Sequence, residues 1–143
     1  YFNAFGPREA HKNKAASMSW QLSLQMKAGR RPRIFEFGEQ YRDFIYVKDV
    51  VDSNVKAFEK AAPGVYNACT GRKTDFNAVV AALNSTLGVS LHPEYIVNPY
   101  SFYQNKTLGD PAKAQKEFGF RARWTVEQAV SDYLGARKAP VRA

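Results

Sequence analysis

Among the side-chain types able to do chemistry, arginine and tyrosine suit an anionic ligand that carries rings. A guanidinium is a planar fork that matches the oxygen pair of a diphosphate. A phenol ring packs on another ring while its hydroxyl takes a polar partner. Taken singly, Lys12 reads as a solvated loop lysine and Arg42 as a surface arginine at a strand end. Other chemical signatures are absent from the sequence: no Gly-x-Gly-x-x-Gly turn, no phosphate-binding P-loop, no Gly-x-Ser-x-Gly elbow and no histidines at metal spacing. His11 and His92 each read as surface or loop residues. The lone Cys69 lies in an apolar segment and reads as a buried structural thiol, which fits a reducing compartment.

The elements that must position these residues follow an α/β order. With 143 residues, 45% hydrophobic and 14% aromatic, the chain can bury one core. No apolar run is long enough to span a bilayer. The net charge of +8 would favour an anionic small molecule, and basic clusters fall at Arg30, Arg31 and Arg33 and along the last quarter of the chain. No aromatic-interleaved RNA motif or zinc-finger spacing accompanies them, so a solvated basic face is the reading preferred over a nucleic-acid groove. Periodicity predicts helices over 15–27, from Asp49 to the Pro63-Gly64 breaker, and over 74–87 with Gly88 as the stop. It predicts strands over 33–36, 42–47, 64–69 and 93–97. Residues 6–14 read as a turn and loop, and 98–106 as an aromatic loop. Asp110-Pro111 opens one last helix and Thr125-Val126-Glu127-Gln128, with capping-box spacing, opens another. The chain begins on apolar residues as though inside a strand, which reads as a fragment.

Three motifs in order carry a resemblance. Tyr1-Phe2-Asn3-Ala4-Phe5-Gly6-Pro7-Arg8-Glu9, then Arg42-Asp43-Phe44-Ile45-Tyr46-Val47-Lys48-Asp49-Val50, then Val65-Tyr66-Asn67-Ala68-Cys69-Thr70-Gly71 are similar to stretches of the extended short-chain dehydrogenase/reductases. Pro7-Arg8-Glu9-Ala10-His11-Lys12, Phe35-Glu36-Phe37-Gly38-Glu39-Gln40 and Asn98-Pro99-Tyr100-Ser101-Phe102-Tyr103-Gln104 resemble the ADP-glycero-manno-heptose 6-epimerases within that superfamily. The likeness covers residues 1–135.

The fold this implies is α/β: the C-terminal, substrate-binding part of an extended Rossmann-type enzyme, its N-terminal cofactor domain missing. Residues 1–5 would end a Rossmann strand beside the cofactor, 6–135 would form the substrate domain, and 136–143 a loose basic tail. The implied reaction inverts carbon 6 of ADP-heptose by transient hydride transfer, in lipopolysaccharide inner-core heptose biosynthesis. NADP or NAD would be held mainly by the missing half. Ala4 and Lys12 would border the nicotinamide, with Lys12 as the second acid/base. Asn3, Lys14, Gln21, the stretch Phe35, Glu36, Phe37 and Gly38, Arg42 and Tyr103 would line the sugar-nucleotide site. Gln21 and Lys14 stand where some members carry other residues. The resemblance further implies a cytoplasmic homo-oligomer that binds neither nucleic acid nor membrane, needs no metal, and is inactive as this fragment. A sibling nucleotide-sugar epimerase or dehydratase, or a non-enzymatic module using its basic face, are the alternatives.

Overall fold

The computed structural model describes residues 1–60 and 62–135; the expected basic tail, 136–143, lies outside them. The chain is α/β. A 3-10 segment, Ala10–Ala15, precedes helix α1 (Met18–Lys27), strands β1 (Arg33–Phe35) and β2 (Tyr41–Arg42), and helix α2 (Val47–Glu59). Strand β3 (Thr74–Asp75), helix α3 (Phe76–Leu87), strand β4 (Glu94–Ile96) and helices α4 (Ala112–Phe118) and α5 (Val126–Leu134) follow. No helix among the described residues is long and apolar enough to cross a membrane.

The strands pair in twos. β1 lies parallel to β4, with Ile34 opposite Tyr95, while β2 lies antiparallel to β3. Of residues 42–47, expected as a strand, Arg42 alone lies in a ladder, opposite Thr74 of β3, and Tyr46 makes an isolated bridge. Phe5 N–H donates to Ile45 O at 3.1 Å and Val47 N–H to Phe5 O at 2.9 Å, in a single parallel bridge between Phe5 and Tyr46. Asn3, at φ 38°, turns the neighbouring segment out of register, and α2 begins already at Val47. The alternation of a strand survives in the packing. Phe44 and Tyr46 enter the main core with Phe5, Leu22, Phe76 and Val130, while Ile45 faces a second cluster with Phe118 and Phe120. Residues 64–69 form no assigned strand; Phe2 N–H donating to Ala68 O is the backbone bond that joins them to the first segment.

Local chemistry sets the helix ends. Ser17 caps α1 by accepting from Trp20 N–H, so that helix starts three residues later than its apolar spacing suggested. Asp75 caps α3 by accepting from Ala78 N–H, and Gly88 closes the helix in the left-handed region at φ 66°. At the next start the cap is Pro111, and Asp110 Oδ1 accepts from Ala112 N–H at 2.8 Å. The Thr125–Gln128 capping box forms in full. Helix α3 packs on α5 and α1.

Candidate functional site

A cavity of about 590 Å³ opens between the first extended segment, the 3-10 segment, α1, β1 and the aromatic loop. Eight of the residues singled out in the sequence line it: Asn3 and Ala4 at one edge, Lys12, Lys14 and Gln21 along one wall, and Phe35, Arg42 and Tyr103 along the other. Glu36, Phe37 and Gly38 lie outside its lining. The wall ends at Phe35 because the chain reverses there. Glu36 has φ 50° and Gly38 φ 73°, and a Cβ on Gly38 would come within 2.5 Å of Asn77 Oδ1 and 2.7 Å of Ile34 Cδ1. The turn leaves Phe37 73% exposed with its ring 6.3 Å from that of Tyr95.

Arg42 is the best-defined cation in the cleft. Strand β2 delivers it half-buried, with its guanidinium carbon 5.2 Å from the Tyr103 ring centre and 5.8 Å from that of Phe76. Nη1 donates to Tyr41 O at 3.0 Å, which orients the fork. Cation–π contact on two sides favours the charged group in a partly desolvated place. Tyr103 also meets Phe35 edge to face at 5.2 Å, so the rings and the guanidinium form one stack.

The opposite wall is cationic and polar. Lys12 and Lys14 are exposed and make no ion pair among the described residues. Arg33, also in the lining, pairs with Glu94 at 3.5 Å. Among the described residues, the only acid in the lining is Glu9, and its carboxylate is already engaged by Gly6 N–H, Ser17 N–H and Ser17 Oγ–H. Behind it, burial and then the charge of Glu9 push the Tyr133 hydroxyl well above the usual range, which keeps it protonated. The cleft therefore presents positive charge and aromatic surface, the combination that suits a phosphate-bearing ligand with rings.

At the far edge, Asn3 lines the cleft and its Nδ2 donates to Asp43 O at 3.1 Å. Ala4 is exposed, and its backbone N–H and C=O make no hydrogen bond among the described residues. A small side chain beside an unspent amide fits the edge of a flat ring carrying a carboxamide. Among the described residues, four other than glycine have positive φ: Asn3, Arg8, Asn13 and Glu36. All four lie in the cleft lining or in loops that border it, where such strain is commonly held.

Several lining residues escaped the sequence reading. Gln25, Phe44 and Phe76 arrive by long-range packing and carry no local signal. Arg33 was visible as part of a basic cluster, and Tyr100 as part of the aromatic loop. Gln40, buried, donates Nε2 to Phe35 O at 2.9 Å and so supports the wall from behind.

With that geometry in view, the likenesses to known proteins are consistent. Residues 1–69 match the sequence model of the NAD dependent epimerase/dehydratase family. The ADP-L-glycero-D-manno-heptose-6-epimerase of Helicobacter pylori is 38% identical, with TM-score 0.85 over 94% of this chain and 41% of its own. The UDP-glucose 4-epimerase of Thermotoga maritima, solved with UDP-glucose, is 30% identical, with TM-score 0.80 over 92% of this chain and 42% of its own. A UDP-N-acetylglucosamine 4-epimerase from Methanobrevibacter ruminantium is 26% identical, with TM-score 0.81 over 92% of this chain and 42% of its own. The fold is thus that of the extended, Rossmann-like nucleotide-sugar epimerases. The chain spans about two fifths of the length of the structures it matches.

Proposed function

We propose that the chain is the substrate-binding part of a nucleotide-sugar 6-epimerase acting on ADP-glycero-manno-heptose, in the supply of heptose to the lipopolysaccharide inner core. The observation that carries this reading is Arg42, held between Tyr103 and Phe76 in the same cleft as Lys12 and Lys14. Of the similar structures, the 38% identical one is named for that substrate.

Arg42 grips an oxygen pair of the diphosphate through its fork, with Lys14 supplying a second positive charge. Phe35 and Tyr103 give ring surface to the nucleotide or sugar, and Gln21 lines the same wall. Asn3 uses its amide to orient the heptose. A nicotinamide nucleotide, NADP or NAD, would supply reversible hydride uptake, and Ala4 and Lys12 would help to hold it. Lys12 Nζ removes or returns the proton on the carbon-6 hydroxyl, on the face opposite a second acid/base lying outside these residues. Glu36, Phe37 and Gly38 shape the wall by turning the chain rather than by touching the ligand.

The deciding experiment compares ADP-linked and UDP-linked sugars, in binding and turnover, on the full-length protein that carries this sequence. The expected outcome is inversion of ADP-heptose at carbon 6, with UDP-sugars at least ~10-fold weaker, a difference of about 1.4 kcal/mol. Preference for a UDP-sugar would transfer the assignment to a sibling epimerase, the reading favoured by the 30% identity to the UDP-glucose 4-epimerase. Salt-sensitive binding to DNA or anionic lipid with no nucleotide-sugar binding would overturn both.

A further inference from the structure

Glu9 is buried at 3% exposure, and no cation pairs with it among the described residues. A carboxylate in such a place is costly unless hydrogen bonds replace its water. Three do: Oε1 accepts from Gly6 N–H and Ser17 Oγ–H, each at 2.9 Å, and Oε2 accepts from Ser17 N–H at 2.6 Å. The backbone of the same residue accepts from Lys12 N–H at 2.9 Å. One side chain therefore ties together both ends of the segment that carries Lys12 and Lys14.

That segment has little else to hold its shape. None of residues 10–15 is buried, so the 3-10 segment has no apolar anchor of its own. It is also strained, with Arg8 at φ 70° and Asn13 at φ 49°, ψ −121°. Strain of this kind persists only where surrounding contacts over-determine the backbone. The Glu9 carboxylate provides those contacts, at the cost of a desolvated charge that a loop needed only for connection would not require.

We propose that Glu9 is a positioning residue for Lys12: its carboxylate closes the loop from Gly6 to Ser17 and so holds the ammonium at the reacting carbon. This rests on the reading of Lys12 as a proton-transfer group. Glu9→Gln puts an NH₂ against Ser17 N–H and opens the tie, whereas Glu9→Asp keeps the charge but is too short to reach both ends.

Hydrogen exchange and kinetics on the full-length protein carrying this sequence test it together. In Glu9→Gln, exchange at the Lys12 and Ser17 amides rises on the order of 10-fold while α3 and α5 stay protected. Turnover of the nucleotide sugar falls on the order of 100-fold in kcat, with a smaller rise in KM because Lys14 shares the loop, and Glu9→Asp falls between. In a Lys12→Ala background, single-turnover measurements show no further loss on adding Glu9→Gln, because the two residues act as one unit. An equal loss in both backgrounds overturns the proposal. So does exchange that is unchanged, or that is raised throughout α3 and α5, which would make Glu9 a general fold staple. If the wild-type protein turns over no nucleotide sugar, the functional reading fails by itself and exchange alone decides whether Glu9 sets the loop. If Glu9→Gln does not fold, Glu9→Asp carries both measurements.

Discussion

Buried acids and exposed bases divide the work of this molecule. Asp43 and Asp49, fully enclosed, spend their carboxylates on backbone amides: Asp43 on Thr70, Gly71 and Gly109, and Asp49 on Arg123 and Trp124. Lys12, Lys14 and Arg42 line the cleft instead. Replacing Arg42 with lysine preserves the charge but removes both the fork and the broad stacking face between Phe76 and Tyr103. Isothermal titration with ADP should show that variant binding at least ~10-fold more weakly, a loss of about 1.4 kcal/mol. A variant that binds as well as the wild type would remove Arg42 from the diphosphate site. The motif containing Arg42 was legible in the sequence. Its division into a cleft-facing arginine and an amide-binding aspartate was not, because the amides come from residues 27 to 66 positions away.

Those amide ties join the elements. Asp43 pins the turn after residues 64–69 and the loop before α4 onto the end of β2, and Thr70 Oγ–H adds a further bond at 2.7 Å. In Asp43→Asn the amide NH₂ would face the N–H groups of Gly71 and Gly109. Two donors then confront a third inside a dry site, and urea unfolding should show a loss of about 2–3 kcal/mol. A loss near zero would mean the loops are held by packing alone. At this scale the sequence was a good guide wherever the determinants are local. The α3 stop at Gly88 and the Thr125 capping box depend on residues within one turn of each other. Strand pairing was less readable: β1 meets β4 across some sixty positions, and the 42–47 stretch keeps its alternation while losing its ladder to Asn3 and to the early start of α2.

For the molecule as a whole, one thiol reports on the integrity of the fold. Burial, and then the charge of Asp43, push Cys69 from an ordinary 9.0 up to about 11. The folded chain therefore holds this proton where the unfolded chain releases it. Its contribution to stability is complete below pH 9 and is lost as pH rises toward 11. Urea titrations should show the wild type losing stability across that window relative to Cys69→Ala; parallel curves would contradict the buried thiol. The second expectation concerns activity. The 143 residues contain neither a glycine-rich phosphate turn nor a Tyr-x-x-x-Lys pair. Incubated with NADP and ADP-heptose, this chain by itself should yield no epimer, and any epimer detected by chromatography would refute that.

The sequence by itself determined the α/β order, the Gly88 stop, the Thr125 capping box and the motifs that carry the family likeness, because each depends on neighbours a few residues apart. Only the tertiary structure decided that Phe35 lines the cleft while Glu36, Phe37 and Gly38 stay out of its lining, and that Arg42 lies between two rings. It also showed a buried Glu9 closing the Lys12 loop. Those outcomes turn on which distant side chains and amides meet, and on backbone angles that residue types alone do not impose.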